Sequence, residues 1–496
     1  PDLADSIWGQ GASQGSALKA QERSAWLHRL MDQLHQDQTL ALSDEAEIAR
    51  SLYLRPGNEA IGPEAVRAGI LAIAAHHPHD PEQAAREVLR GALVNGLSAQ
   101  QIADTGVLTH AQIDRYVQSL LTFFTLDEWT AVRNETIVAA VRPQLDAMGL
   151  NGAGVGVRVL EVENSGFHPQ TVMAIINQAR HGIAPGTAVE LDTMYSESYP
   201  QQSIGEMLRN AVDNSGLSRE RPEAWMVGLR NTLVNAVSGS LNDAAREIRE
   251  FVYQSGARVM NMSFGSSLTS YYNLVDRMLI FYPKLHNGFF AGVQGEMSES
   301  QRMQRIVNFV NDTVLGSDRV MQSYDNYVYA TSEAAQSGKT IVVAAGNWQN
   351  STQRIRDQGV GMPLWAAMNV MALSPHVIAV GASSTNGTPH DLMDDTIASF
   401  SSNGDEQFPV TLATQGVQAA VSYALFASLD GEVNGTSFAA PLAAGVVALM
   451  LQRNPSLSFS QIKSILQAVA VDTPVPRQAE GAGMLDVMAA VLAESA

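Results

Sequence analysis

The apolar positions of the chain fall into two regimes. Within the first 130 residues they recur at helical spacing: Leu27, Leu30, Met31 and Leu34 stand at i, i+3, i+4 and i+7, one face of a helix. Pro63 opens a second helix carrying Val66, Ile70 and Ile73, and Pro81 a third carrying Ala84, Val88 and Leu89. Ser98 with Gln101, and Thr109 with Gln112, are capping boxes that start two more. This pattern predicts a compact all-α domain over residues 1–130. Near the other end, the run from Leu442 to Leu451 carries no polar side chain at all, which predicts a helix buried on every side.

Composition narrows the partners. Residues 98–116 have the helix, glycine turn and helix spacing of a helix-turn-helix, but the second helix offers Arg115 beside Asp114 in a chain of net charge −19. A nucleic-acid reader needs a basic footprint, so the segment reads as a plain helix pair and no nucleic-acid partner is expected. His76, His77, His79 and Asp80 sit in a proline-broken connection and read as a loop, so no metal site is expected. At 496 residues and 45% hydrophobic the chain is long enough for two or more domains. It has no cysteine, which excludes disulfides, thiolate metal sites and a cysteine nucleophile. No apolar run reads as a membrane span. No secretory signal is visible either, and because the chain opens at Pro1, a signal peptide removed upstream remains open.

The chemistry is concentrated just ahead of the buried helix, in Gly435-Thr436-Ser437-Phe438-Ala439-Ala440-Pro441. A serine there meets the free N–H groups and positive dipole end of the helix. Thr436 is expected to cap, the small residues allow close backbone approach, and Pro441 is expected in the first turn. Gly-Thr-Ser alone would be read as an ordinary cap. The whole pattern, Gly-Thr-Ser-x-x-Ala-Pro, resembles the serine motif of the subtilisin-like proteases (subtilases), which makes Ser437 the candidate nucleophile.

Other segments resemble the same family in the chain order acid, histidine, serine. Asn261-Met262-Ser263-Phe264-Gly265 is similar to the family strand that pairs with the substrate backbone. Ile341-Val342-Val343-Ala344-Ala345-Gly346-Asn347 resembles the strand and turn that end in the oxyanion-hole asparagine, a role the resemblance gives to Asn347. By the same resemblance Ser263, Phe264 and Gly265, with Ala344, Ala345 and Gly346, line the substrate cleft. The segments starting at His376, Ala398 and Gly481 match structural markers of the family, and the resemblance covers residues 135–496 except near 200–235 and 268–320.

The acid and the base depart from the family pattern. Gly152-Ala153-Gly154-Val155-Gly156-Val157-Arg158-Val159-Leu160-Glu161 aligns Glu161 with the family aspartate. A shifted alignment puts Asn164 there, but a neutral amide holds an imidazole poorly, and Glu161 is preferred. Glu163, two residues on, is the second candidate acid. His168 opens a stretch that resembles the histidine helix, with Pro169 and Gln170 in place of Gly-Thr. His181 is the rival base, although no helix follows it. Only seven positions separate residues 161 and 168, too few for the strand that usually intervenes.

The resemblance implies an α/β fold, a subtilisin-like doubly wound, mostly parallel sheet flanked by helices over residues 131–496, with the all-α domain before it. It implies a serine endopeptidase acting on polypeptides with a Glu161/His168/Ser437 triad. No cofactor is required, and structural calcium is left open. The helical domain is expected to be a propeptide, an inhibitory module or a protein-binding module, packed on the protease domain or bound to a partner. Family habit favours a secreted or periplasmic zymogen over a cytoplasmic enzyme. The alternative is a catalytically inactive binding module that keeps the fold.

Overall fold

The computed structural model describes residues 64, 66–68, 70–71, 99–106 and 136–493, apart from 163–167, 179–181, 195–203, 294–296, 387, 418 and 423–429. The helix expected at Leu27 to Leu34, the one opened by Pro81, the caps at Ser98 and Thr109 and the cluster at His76 to Asp80 lie outside the described residues. The chain divides into two units, one of residues 1–140 with 418–434 and one of 141–417 with 435–496.

In the first unit, helical residues carry Val66 and Ile70, each 4% exposed, as the apolar spacing requires. A short helix, Ala99–Asp104, buries Ile102, and Arg67 donates to the carbonyl of Thr105. The unit also holds an antiparallel hairpin, Ala419–Ser422 with Asp430–Val433, far along the chain from the helices.

The second unit is built on one sheet. Strands β1 (Gly156–Val162), β2 (Ala188–Met194), β3 (Val259–Met262), β4 (Thr340–Ala344) and β5 (Ile378–Ser384) lie parallel in the order β2-β1-β3-β4-β5. Strand β6 (Thr396–Ile397) pairs antiparallel and β7 (Leu412–Gln415) parallel with β5. Strands β3 and β4 are buried at every position, as parallel strands covered on both faces must be.

Side chains alternate between those faces. Leu160, Met262, Val343 and Ala379 form one row across β1, β3, β4 and β5. That row belongs to a core shared with the 33-residue helix Pro222–Gln254 and the helix Asp318–Gln336. Val159, Asn261, Val342 and Ile378 form the row on the other face, where the helix Thr436–Arg453 packs across the strands. Helices on both faces of a mostly parallel sheet give the doubly wound architecture expected. Much of the regions near 200–235 and 268–320 is helical: Ile204–Asp213, the start of the long helix, Leu268–Phe281, Pro283–Phe289 and Glu299–Val314. Their apolar faces join the long-helix core.

The Thr436–Arg453 helix is the one described helix long and apolar enough to cross a membrane, but it is 78% buried in the fold. Two expectations about its start need correction. The N-cap is Gly435, at φ 154°, and not Thr436, which is the first helical residue. Pro441 is therefore the sixth helical residue, in the second turn, where its missing N–H deprives the carbonyl four residues earlier of a partner.

Candidate active site

In an open α/β sheet the crevice forms beyond the carboxyl ends of the strands, where the chain order reverses. Here the reversal lies between β1 and β3: the chain runs from β1 to β2 on one side, then returns to β3 on the other. Glu161 is at the carboxyl end of β1, Ser263 directly follows β3, and Asn347 lies three residues beyond β4. Three sequence candidates thus reach one edge of the sheet because the strands that carry them are parallel neighbours.

Glu161 and His168 are in contact. The chain passes from β1 to the helix His168–Asn177 without an intervening strand, and His168 Nδ1 lies 3.0 Å from Glu161 Oε1. The glutamate side chain is 1% exposed and the imidazole 25%, so the acid is held inside while the ring reaches the surface. Glu161 Oε2 is buried with no hydrogen-bond partner among the described residues. Such a carboxylate fixes the tautomer of a neutral imidazole and stabilises its charged form. Glu163 and His181 lie outside the described residues.

Ser437 is the second residue of its helix and half-buried. Its hydroxyl donates to the carbonyl of Ser263 at 2.9 Å, not to His168. The imidazole lies instead against the neighbouring Phe438, ring centroids 5.5 Å apart and tilted by 49°. The acid–base pair and the nucleophile are therefore adjacent but not yet hydrogen-bonded.

Around Ser437 the helix start is stitched to the turn after β4. Asn347 Oδ1 accepts from the Thr436 amide at 3.0 Å and its hydroxyl at 2.8 Å, and that hydroxyl accepts in turn from Gly346 N–H at 3.1 Å. The Asn347 carboxamide is thus anchored through its oxygen. Its Nδ2 faces Gly435, 3.5 Å from where a side chain on that glycine would begin, and has no acceptor among the described residues. Phe438 and Ala439 N–H groups both turn to the Gly435 carbonyl, which leaves Ser437 N–H without an acceptor among the described residues. Two free donors, one side-chain and one backbone, flank the serine.

The cleft-lining candidates also find places. Ser263, Ala344, Ala345 and Gly346 are buried, and Phe264 is half-buried. Gly265 adopts φ 143°, in the range that favours glycine. Two residues to which the sequence alone gave no role, Asn261 within the strand motif and Asn369 outside any motif, hold these segments. Asn261, fully buried, donates to Ser263 Oγ at 2.9 Å. Asn369 donates to the carbonyls of Phe264 and Ala344 at 2.8 and 3.0 Å. Among the described residues no group of three or more His, Asp or Glu side chains is arranged to hold a metal.

The mostly parallel sheet, with helices on both faces and the candidate residues brought to the carboxyl ends of its strands in the chain order acid, histidine, serine, defines a doubly wound α/β protein. Residues 204–484 match the subtilase family, and the chain belongs to that family. The match begins downstream of Glu161 and His168. The chain is 33% identical over 171 residues to the serine protease AprX of Bacillus subtilis (strain 168), covering 31% of this chain and 36% of that one. It is 25% identical over 354 residues to an extracellular serine protease of Serratia marcescens, covering 66% of this chain and 30% of that one. It thus spans about a third of the length of these relatives. The solved structure of fervidolysin from Fervidobacterium pennivorans, a keratinolytic enzyme related to subtilisin, is also similar, at 18% identity and TM-score 0.39, covering 72% of this chain and 46% of that one.

Proposed function

We propose that the chain is a serine endopeptidase that hydrolyses polypeptides through an acyl-enzyme. The observation that carries this reading is the 3.0 Å contact between buried Glu161 and half-exposed His168, beside a serine at a helix N-terminus. Ser437 Oγ leaves the Ser263 carbonyl by a side-chain rotation, gives its proton to His168 Nε2 and attacks the scissile carbonyl. Negative charge then develops on the substrate oxygen, and the free donors, Asn347 Nδ2–H and Ser437 N–H, receive it. His168 returns the proton to the departing amine. In the second half, water takes the place of serine and His168 acts as base again. Glu161 keeps Nδ1 of the ring protonated throughout. The segments Ser263 to Gly265 and Ala344 to Gly346 hold the peptide on either side of the serine. These steps draw on the side chains of the chain itself and need no cofactor.

Two further parts belong to the proposal. The region 1–130 acts as a removable inhibitory or partner-binding module of a protease domain spanning 131–496. The site of action is outside the cytoplasm, a placement supported by the similarity to the extracellular serine protease of Serratia marcescens. A chain whose activity is unchanged when residues 1–130 are deleted, and which is never cut near their end, would contradict the first part.

A specific observation favours a second reading, a binding module without catalysis: the Ser437 hydroxyl rests on Ser263 rather than on His168. Intact-mass analysis after fluorophosphonate treatment separates the two. A single adduct on wild type, lost in Ser437→Ala and suppressed in His168→Ala and Glu161→Ala, supports the peptidase. No adduct, even after removal of residues 1–130, supports the binding module.

A further inference from the structure

Charge is divided between the two edges of the sheet. At the amino edge cations are built in: Arg158 stands in β1, and Arg258 and Lys339 directly precede β3 and β4. Lys463 joins them, donating to the carbonyls of Pro375 and Val377 just ahead of β5. At the carboxyl edge the pattern is reversed. The first Lys or Arg after β1, β2, β3 and β4 is Arg180, Arg209, Arg277 and Arg354, and after both β5 and β7 it is Arg453. Every segment that leaves a parallel strand here therefore starts without a cation, and the stretch from Asp357 to Gln452 contains no Lys or Arg.

That stretch holds the hairpin of β5 and β6, whose loop carries Asp391, Asp394 and Asp395 beside His390. Asp391 and Asp394 are exposed. The hairpin is tied to the nucleophile. Gly435, the N-cap of the Ser437 helix, donates to the Gly416 carbonyl at 2.7 Å, and Gly416 donates to the carbonyl of Ser383 at 3.0 Å, where the pairing with Ile397 begins. Two hydrogen bonds thus lead from the start of the serine helix to the strand that bears the acidic loop. Each edge also strains groups of its own sign. Besides burial, Asp394 and Asp391 raise the Asp395 carboxyl, whereas Arg158 and Arg258, opposed by Glu190, lower the buried Lys339 ammonium. Repulsion between like charges, negative at one edge and positive at the other, is what a separated charge produces.

On this basis we propose that the substrates of this site are cationic polypeptides, rich in Lys and Arg, and that Asp391 and Asp394 select them through their field at the cleft rather than by contact. The positive helix starts at this edge act over about one turn. Charges on an exposed loop reach across a Debye length, about 10 Å at 0.1 M salt. A cleft edged by one sign of charge concentrates the opposite sign and raises encounter rates by about 10–10³-fold, an effect that salt suppresses. The assignment deepens the peptidase reading above and rests on it.

The test uses two quenched fluorescent peptides with one shared scissile core, flanked by Lys residues in one and by Glu residues in the other, on the full-length protein. The readout is the Lys-to-Glu ratio of kcat/KM, from which a general loss of activity cancels. Wild type should favour the Lys peptide by about tenfold or more at low salt, the lower end of electrostatic steering. Raising NaCl from about 0.01 M, where the Debye length is about 30 Å, to above about 0.1 M should lower that ratio by about threefold or more. Asp391→Asn with Asp394→Asn should lower the low-salt ratio by about threefold, on the same scale of steering. Glu190→Gln with Glu250→Gln removes as much charge near the amino edge and should leave the ratio unchanged. A wild-type ratio at or below unity, or one that salt does not move, overturns the assignment. So does a loop variant that keeps the wild-type ratio, or a control that falls as far as the loop variant. Should the double loop variant not fold, Asp391→Asn alone carries the same comparison. Failure of the peptidase reading is distinct: wild type then neither takes a fluorophosphonate nor cuts. Fluorescence anisotropy of the two labelled peptides on wild type then decides the charge reading, with tighter low-salt binding of the Lys peptide supporting it and equal or weaker binding overturning it.

Discussion

Ser263 and Ser437 exchange two hydrogen bonds: Ser437 Oγ donates to the Ser263 carbonyl at 2.9 Å, and Ser263 Oγ donates to the Ser437 carbonyl at 2.8 Å. The second bond exists because of Pro441. In an uninterrupted helix the Ser437 carbonyl would accept from the N–H four residues on, and that residue is the proline, which has none. Ser263, itself held by Asn261, supplies the missing donor and ties the end of β3 to the nucleophile helix. A helix break and a strand-end serine therefore form one device.

That dependence predicts a coupling. Ser263→Ala removes the donor and leaves the partly buried Ser437 carbonyl and the Asn261 amide unmatched, a loss of about 1–3 kcal/mol. Pro441→Ala restores an N–H to the helix, so Ser263→Ala should cost less in that background. Urea unfolding of the four proteins of the double-mutant cycle measures this, and additive costs would show that the proline does not create the need for Ser263.

The Glu161–His168 pair predicts two separable losses. Glu161→Gln keeps the shape of the side chain but removes the charge that orients the ring, and kcat should fall on the order of 10⁴-fold, as when the acid of a serine-protease triad becomes an amide. His168→Ala should also weaken the fold by about 1–3 kcal/mol, because it strands a carboxylate that is 1% exposed and whose other oxygen has no partner among the described residues. Adding Glu161→Gln to His168→Ala should recover part of that stability. Thermal unfolding of the two variants gives the comparison, and equal melting temperatures would contradict it.

How far the site was legible follows from where each contact is made. Ser437 and Asn347 stand within contiguous motifs whose local sequence suffices to form a helix start or a strand-to-turn. Glu161 and His168 could be found because one lies in an apolar strand pattern, a residue before the strand ends, and the helix starts at the other. Thr436 was misjudged because its hydroxyl bonds Asn347, 89 positions away, instead of capping its own helix. Asn369 left no local trace: its partners Phe264 and Ala344 are 105 and 25 positions off, and only the parallel order of β3, β4 and β5 brings them together. The sheet was easier to anticipate, since strands covered on both faces are nearly continuous apolar runs.

Asn347 tests the oxyanion assignment cleanly because its two ends do different work. Asn347→Asp keeps the oxygen that accepts from Thr436 and replaces the Nδ2 donor with a second acceptor. Stability should change little, whereas kcat should fall by at least about 10²–10³-fold, the range seen when a subtilisin loses one such donor. KM should stay close to wild type, since the interaction arises only as charge develops. Steady-state kinetics on a peptide substrate decides it, and a loss carried by KM alone would move Asn347 from transition-state stabilisation to simple binding.

The last prediction concerns a carboxyl group outside the site. Asp395, immediately before β6, is 3% exposed, and burial, reinforced by the neighbouring Asp394, pushes its carboxyl up to about 7. The unfolded chain releases this proton near the ordinary value of 3.8, so between these two values the folded state holds the proton more tightly. Where the native state binds more protons than the unfolded state, stability falls as pH rises. Asp395 thus favours folding at acid pH, and its contribution is lost progressively from about pH 4 to 7 and stays lost above that. Asn at this position cannot ionise, so Asp395→Asn should flatten the pH dependence and gain most over wild type at pH 8. Melting temperatures of both proteins from pH 4 to 8 supply the measurement; parallel curves would mean that Asp395 ionises in the folded protein as it does in the unfolded chain.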